Sequence, residues 1–261
     1  MPFLFDSRPQ VLAADALMVA CRAARLLQGP DGGRPDARLG FNSLAAFASV
    51  NHCHLHVWMN HELWGGDRMP VERAPRSLVA EAAAPAAPDG VSTSVCTVQW
   101  PIPCLLVQSA GPASAQAALT ACAVRVAMAA VEACQGQGLP HNLALWWEGQ
   151  GQGQGQASLC ILLFPRLSQA PSLGGHLNIA LLEACGLATV VSVTGGNEAS
   201  PAPVGPGAVP TDGTAETAAR VFRGLTEEQV SSAMAAFAVP QAQFQGLVDT
   251  AVAALRQGPA V

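Results

Sequence analysis

Asn142-Leu143-Ala144-Leu145-Trp146-Trp147-Glu148 and Ser158-Leu159-Cys160-Ile161-Leu162-Leu163-Phe164 are two short apolar runs separated by a Gly-Gln tract. They read as a strand pair, with residues 149–156 as the hairpin tip. No helix pattern follows the tract and no Lys-Ser/Thr pair closes it, so it is not a phosphate-binding loop. Trp146 and Trp147 send one indole to each face of their strand. Working outward, residues 38–42, 52–59, 102–108 and 188–193 read as further strands. Helical patterns fall at 13–27, 113–135, 178–185, 216–224, 226–237 and 241–256, where Thr226 with Glu227 and Glu228 makes a helix start. Residues 29–35 read as a loop, and 64–87, polar and Pro-rich, as irregular. Several strands follow one another with no helix between them. That predicts an α+β fold with a mostly antiparallel sheet and packed helices, rather than a doubly wound one.

Half of the 261 residues are hydrophobic and 12% are charged, which suits a chain with a sizeable core. A formal charge of −5 without a basic patch argues against nucleic acid as a partner. All thirteen cations are Arg, which excludes Schiff-base and P-loop lysine chemistry. The N-terminal Met-Pro-Phe-Leu-Phe-Asp lacks the basic and apolar regions of a secretory signal. The longest apolar stretch, residues 113–134, is interrupted by Gln116, Arg125 and Glu132, which argues against a membrane span. Eight cysteines lie singly, mostly within apolar runs. They read as small hydrophobes in a reduced, cytoplasmic protein rather than as a disulfide framework.

Three of the six histidines alternate in Asn51-His52-Cys53-His54-Leu55-His56-Val57. On a strand His52, His54 and His56 would share one face, the outer two ~13 Å apart, with Cys53, Leu55 and Val57 on an apolar face behind them. Imidazole is the side chain best suited to give, take or carry a group near neutral pH. The residue types alone also fit a zinc site, with His61, Glu62 and Asp67 as further ligands, although ~13 Å is too wide for all three histidines to reach one ion without a bend. Histidines satisfied in a polar core are the other structural reading.

The segment Gly40-Phe41-Asn42-Ser43-Leu44 through Asn51-His52-Cys53-His54-Leu55-His56 resembles the histidine-triad superfamily, and within it the GDP-D-glucose/GDP-L-galactose phosphorylase family. Pro140-His141-Asn142-Leu143, Leu162-Leu163-Phe164-Pro165 and the helix with Asn178 and Glu183 before Gly186 keep that family's order downstream. The resemblance implies a histidine-triad-like catalytic region over residues 1–194, with a region that precedes this segment in the family missing here, while composition and helical patterning give a Pro/Gly-rich linker over 195–213 and a helical tail over 214–261. It implies that His54 is the nucleophile at the α-phosphorus of a GDP-hexose, flanked by His52 and His56. Asn42, Ser49 and Asn51 would then contact the nucleotide and phosphate, with no metal or cofactor required. The third position, His56, leans toward the GDP-D-glucose type. There inorganic phosphate takes GMP from His54 to give GDP and hexose 1-phosphate. A nucleotide hydrolase releasing GMP, and a non-catalytic binding protein, stand as alternatives. A homodimer would cover an open sheet edge.

Other candidates carry more than one reading. His141 fits a core or turn histidine as well as a substrate contact, and His176 a helix cap. Asp67, Arg68, Arg73 and Arg76 fit a solvated loop as well as a diphosphate contact.

Overall fold

The computed structural model describes residues 9–27, 37–48, 50–64, 68–83, 90–149, 155–168, 180–186 and 226–257. The readings at 29–35, 188–193, 195–213 and 216–224 lie outside the described residues, as do Ser49, Asp67, His176 and Asn178. The elements are α1 (Ala14–Leu27), β1 (Ala37–Asn42), β2 (His56–Met59), α2 (Asn60–Trp64), β3 (Arg76–Ala83), β4 (Ser92–Val98), β5 (Cys104–Pro112), α3 (Gln116–Gly136), β6 (His141–Gly149) and β7 (Gln156–Pro165). They continue with α4 (Leu181–Ala184), α5 (Glu227–Ala235) and α6 (Gln241–Gln257), and 3-10 turns stand at Pro70–Arg73 and Ala113–Ala115.

The hairpin that suggested the fold lies in the middle of it. β6 and β7 pair from His141 opposite Pro165 to Gly149 opposite Ala157. Gly149 has φ +103°, and a Cβ there would run into the Gln156 carbonyl, so a glycine is required where the strand turns away. Seven strands form one sheet in the order β2-β1-β6-β7-β5-β4-β3. Every neighbouring pair is antiparallel, so the fold is α+β with an antiparallel sheet.

Both faces of that sheet are covered, and this explains its unbroken apolar runs. A sheet with one wet face alternates apolar with polar residues; one covered twice need not. On the first face Leu39, Phe41, Leu145, Trp147, Ile161 and Val107 pack under α1, α3 and α6, which contribute Leu17, Val131 and Leu247. Trp146, Leu162, Phe164 and Leu106 fill the second face beneath Met69, Val71, Leu181, Met234 and Phe237. The helices of residues 226–257 therefore enter both cores. A capping box at Thr226 and Gln229 starts α5. By length and composition α3 would suffice to cross a membrane, but here its Leu119, Ala123, Ala127 and Val131 are buried in the first core. Arg125 on α3 donates to the Ala254 carbonyl of α6.

Residues 64–87, expected to be irregular, contain β3, and β4 follows it. β3 is an edge strand, with Leu78 and Val79 exposed, so it shows no buried pattern to read. Within β4 the polar Thr93 is buried because its hydroxyl meets Ser109 across the strand pair at 2.7 Å. No disulfide links the eight cysteines. Burial pushes the Cys21 and Cys134 thiols up to about 12.

Candidate active site

The expected strand over 52–59 begins only at His56. The ladder between β1 and β2 ends at the pair Gly40–His56, and beyond it the side chain of Gln10 is inserted between the two chains. Gln10 Oε1 accepts from the His54 backbone N–H at 2.9 Å. Its Nε2 donates to the Asn42 carbonyl at 2.8 Å and to the His54 carbonyl at 3.4 Å. One buried amide thus stands in for the ladder and holds residues 52–55 away from β1 in a bent path. The apolar backing is only partly as expected. Cys53 and Leu55 join the first core, but Val57, on the outermost strand, is 55% exposed.

The bend gives the histidines different surroundings. His54 Nδ1 donates to the His52 carbonyl at 2.8 Å. A carbonyl only accepts, so Nδ1 carries a proton, and the neutral ring is the tautomer with its lone pair on Nε2. His54 and His56 rings meet edge-on with centroids 5.2 Å apart. His52 contributes its carbonyl, while its ring Nε2 is buried and has no partner among the described residues. Although part of His56 is exposed, enough of it lies against protein that desolvation lowers its pKa, with the charge of His54 adding to the effect.

Asn42 is buried beneath His56 at the end of β1, opposite Asn142 on β6. Asn142 Nδ2 donates to Asn42 Oδ1 at 2.6 Å, and Asn42 Nδ2 lies 3.4 Å from His56 Nε2. Asn142 is held in turn by the Ala46 carbonyl, which accepts at 2.9 Å, and by Arg166 Nη1, which donates to Asn142 Oδ1 at 3.2 Å. The Ala46 carbonyl is presented by a tight turn in which Ala45 and Phe47 take φ of +59° and +68°. Such backbone in non-glycine residues is uncommon and clusters at functional sites. Arg166 is fully buried, its guanidinium 4.4 Å from the centroid of the Phe237 ring. Sequence reasoning missed Gln10, Asn142 and Arg166 as site residues. The two blocks around Pro140–Leu143 and Leu162–Pro165 pointed at the right neighbourhood without naming them.

Of the residues singled out in the sequence, His54, His56 and Asn42 are brought together, with His52 behind them. Asn51 is exposed, and its Oδ1 accepts from the Gln10 backbone N–H at 3.0 Å. His141 lies on the other face of the sheet, buried and stacked on Phe41 at 6.0 Å. Burial lowers its pKa, opposed by its Nδ1 donation to the Leu139 carbonyl. It is a core histidine. Arg76 faces Glu148 at 3.5 Å, while Arg68 and Arg73 are exposed. Among the described residues no group of His, Cys, Asp and Glu has the arrangement of a metal site.

Residues 1–58 match the family described as "GDPGP1-like, N-terminal domain". GDP-D-glucose phosphorylase 1 of Xenopus laevis is 40% identical over 57 residues, which are 22% of this chain and 13% of that protein. The zebrafish (Danio rerio) protein of the same name is 40% identical over 72 residues, 27% of this chain and 18% of its own length. The matched stretch is thus less than a fifth of either relative. No solved structure matches the chain. The matched N-terminal stretch, which carries Gln10, Asn42 and the three histidines, is thus similar to the GDP-D-glucose phosphorylases over that stretch.

Proposed function

We propose that the protein is a GDP-hexose phosphorylase of the histidine-triad type, transferring GMP through His54 to inorganic phosphate. The observation that carries this reading is the hydrogen bond from His54 Nδ1 to the His52 carbonyl. It holds a proton on Nδ1, so that in the neutral ring the lone pair of Nε2 is the one available for attack. In the first step Nε2 attacks the α-phosphorus, the Nε2–P bond forms and the bond to the bridging oxygen breaks, releasing hexose 1-phosphate. In the second step a phosphate oxygen attacks the same phosphorus, the Nε2–P bond breaks and GDP leaves. The imidazole keeps its Nδ1 proton throughout, and the His52 carbonyl steadies the positive charge on the guanylylated ring. His56, beside His54, is the group available to donate to the phosphoryl oxygens as their charge develops. Asn51, exposed ahead of the histidines, and Ser49 are assigned to nucleotide and phosphate contacts on the family resemblance. The eight cysteines, none in a disulfide, fit a cytoplasmic setting.

The assay is incubation with GDP-D-glucose, with and without phosphate. Phosphate-dependent release of GDP and glucose 1-phosphate is expected, abolished in His54→Ala. Release of GMP without phosphate would reassign the same site to hydrolysis, and full activity in His54→Ala would overturn the proposal.

A further inference from the structure

We propose that Arg166, acting through Asn142 and Asn42, fixes the tautomer and orientation of His56, making these three residues a positioning relay for the active site. This deepens the function proposed above and rests on it for the role of His56.

The direction of the relay follows from groups that cannot change their hydrogen-bonding sense. A guanidinium only donates and a backbone carbonyl only accepts. Arg166 Nη1 stands at one end of the Asn142 amide, and the Ala46 carbonyl faces the other. Turning the Asn142 amide over would set NH₂ against guanidinium and oxygen against carbonyl, two repulsive contacts in a buried place. Its orientation is therefore settled, with Nδ2 toward Asn42. Asn42 Oδ1 accepts from it at 2.6 Å, so the Asn42 NH₂ must face His56. An amide NH₂ cannot accept, so His56 Nε2 must supply a lone pair and Nδ1 carries the proton. Burial of Arg166, Asn142 and Asn42 leaves little water to relax these choices.

The consequence is chemical. A free imidazole exchanges its proton between two nitrogens; His56 is left with a single donor, Nδ1–H, and its protonated form is opposed by the amide donor at Nε2. Burial of the ring and the charge of His54 lower its pKa independently of that amide. The titratable neighbour that also acts on the ring is His54, edge-on to it. Asn42 thus acts through His56 with both ends of its amide engaged.

Two isosteric variants test the relay, read by nitrogen NMR of the histidine side chains in the full chain without substrate. In the native protein His56 should show a protonated Nδ1 and a lone pair on Nε2. Asn42→Asp replaces the donor with an acceptor, and Asn142→Asp removes the donor that orients Asn42. Each should move the His56 proton to Nε2 and raise its titration midpoint by about one unit or more. Phosphorolysis should fall in kcat with little change in KM. Glu72→Gln, on the same sheet face but outside the relay, is the structural control and should leave the His56 signals unchanged. A native Nε2-protonated His56, or an unchanged tautomer in whichever aspartate variant folds, would overturn the relay. Its signature persisting in a protein that neither forms nor cleaves a guanylyl adduct would sink the proposed function and leave the relay standing.

Discussion

Arg38 and Arg166 are both buried on the second face of the sheet, and the comparison between them separates what holds this fold from what arms it. Arg38, on β1, meets the carboxylate of Glu72 through Nε at 2.7 Å and Nη2 at 2.9 Å. Its guanidinium also lies 5.6 Å from the centroid of Trp146. Charge and countercharge close on each other, and the pair ties β1 to the Pro70–Arg73 turn. Arg166 instead donates to an amide, Asn142, which donates to a second amide, Asn42, which faces an imidazole at the surface. A carboxylate ends a hydrogen-bond chain because it accepts at both oxygens. An amide passes the direction on, because it accepts at one end and donates at the other. The same cation thus serves as a clamp in one place and as the fixed end of a relay in the other.

That contrast can be broken in graded ways. Removing the clamp's carboxylate with Glu72→Ala should have the largest effect, a loss of about 3–5 kcal/mol in stability by chemical denaturation, because a buried charge loses its bidentate partner. The tautomer of His56 should not change. Asn42→Ala should show the opposite profile. Phosphorolysis should drop roughly 100-fold in kcat, at the low end of what a positioned proton donor contributes, with KM nearly constant. Its stability should fall by only about 1–3 kcal/mol for the unmet buried partner.

Smaller effects sharpen the comparison further. His141 belongs to neither network and is held neutral by burial, so the folded protein binds fewer protons than the unfolded chain just below the ordinary histidine value of 6.5. Its contribution is complete above that pH and is lost as the pH falls through the depressed native value. Urea midpoints measured from pH 8 downward should therefore decline on the acid side, and His141→Gln should flatten the decline. Least of all, Ala45→Gly relaxes the positive-φ turn that presents the Ala46 carbonyl. It should change stability by about 1 kcal/mol or less, toward greater stability, with His56 unaffected.

What could be read in the sequence depended on how far each residue's reason for being there lies along the chain. β6 and β7 were legible because their apolar runs are local, and the α+β class followed from them. The division of labour between Trp146 and Trp147 followed from strand alternation alone, and each indole does enter a different core. β3 and β4 were not legible: an exposed edge strand carries no burial pattern, and the buried Thr93 is satisfied only by Ser109, from the next strand. The histidine row was seen but drawn too straight. The bend at residues 52–55 depends on Gln10, some forty residues earlier, and no periodicity within the row encodes it. Asn142 and Arg166 escaped for the same reason, since each is defined by a partner on a different strand. Single buried amides and guanidiniums take their meaning from register, which becomes visible only once the sheet is assembled.

Whether His54 carries the guanylyl group can be tested without turnover. Mixing the protein with GDP-D-glucose in phosphate-free buffer and measuring its intact mass should show one guanylyl increment. Peptide mapping should place it on the segment containing His54, and added phosphate should discharge it as GDP. An unmodified mass under these conditions, or an adduct that persists in His54→Ala, would contradict the account.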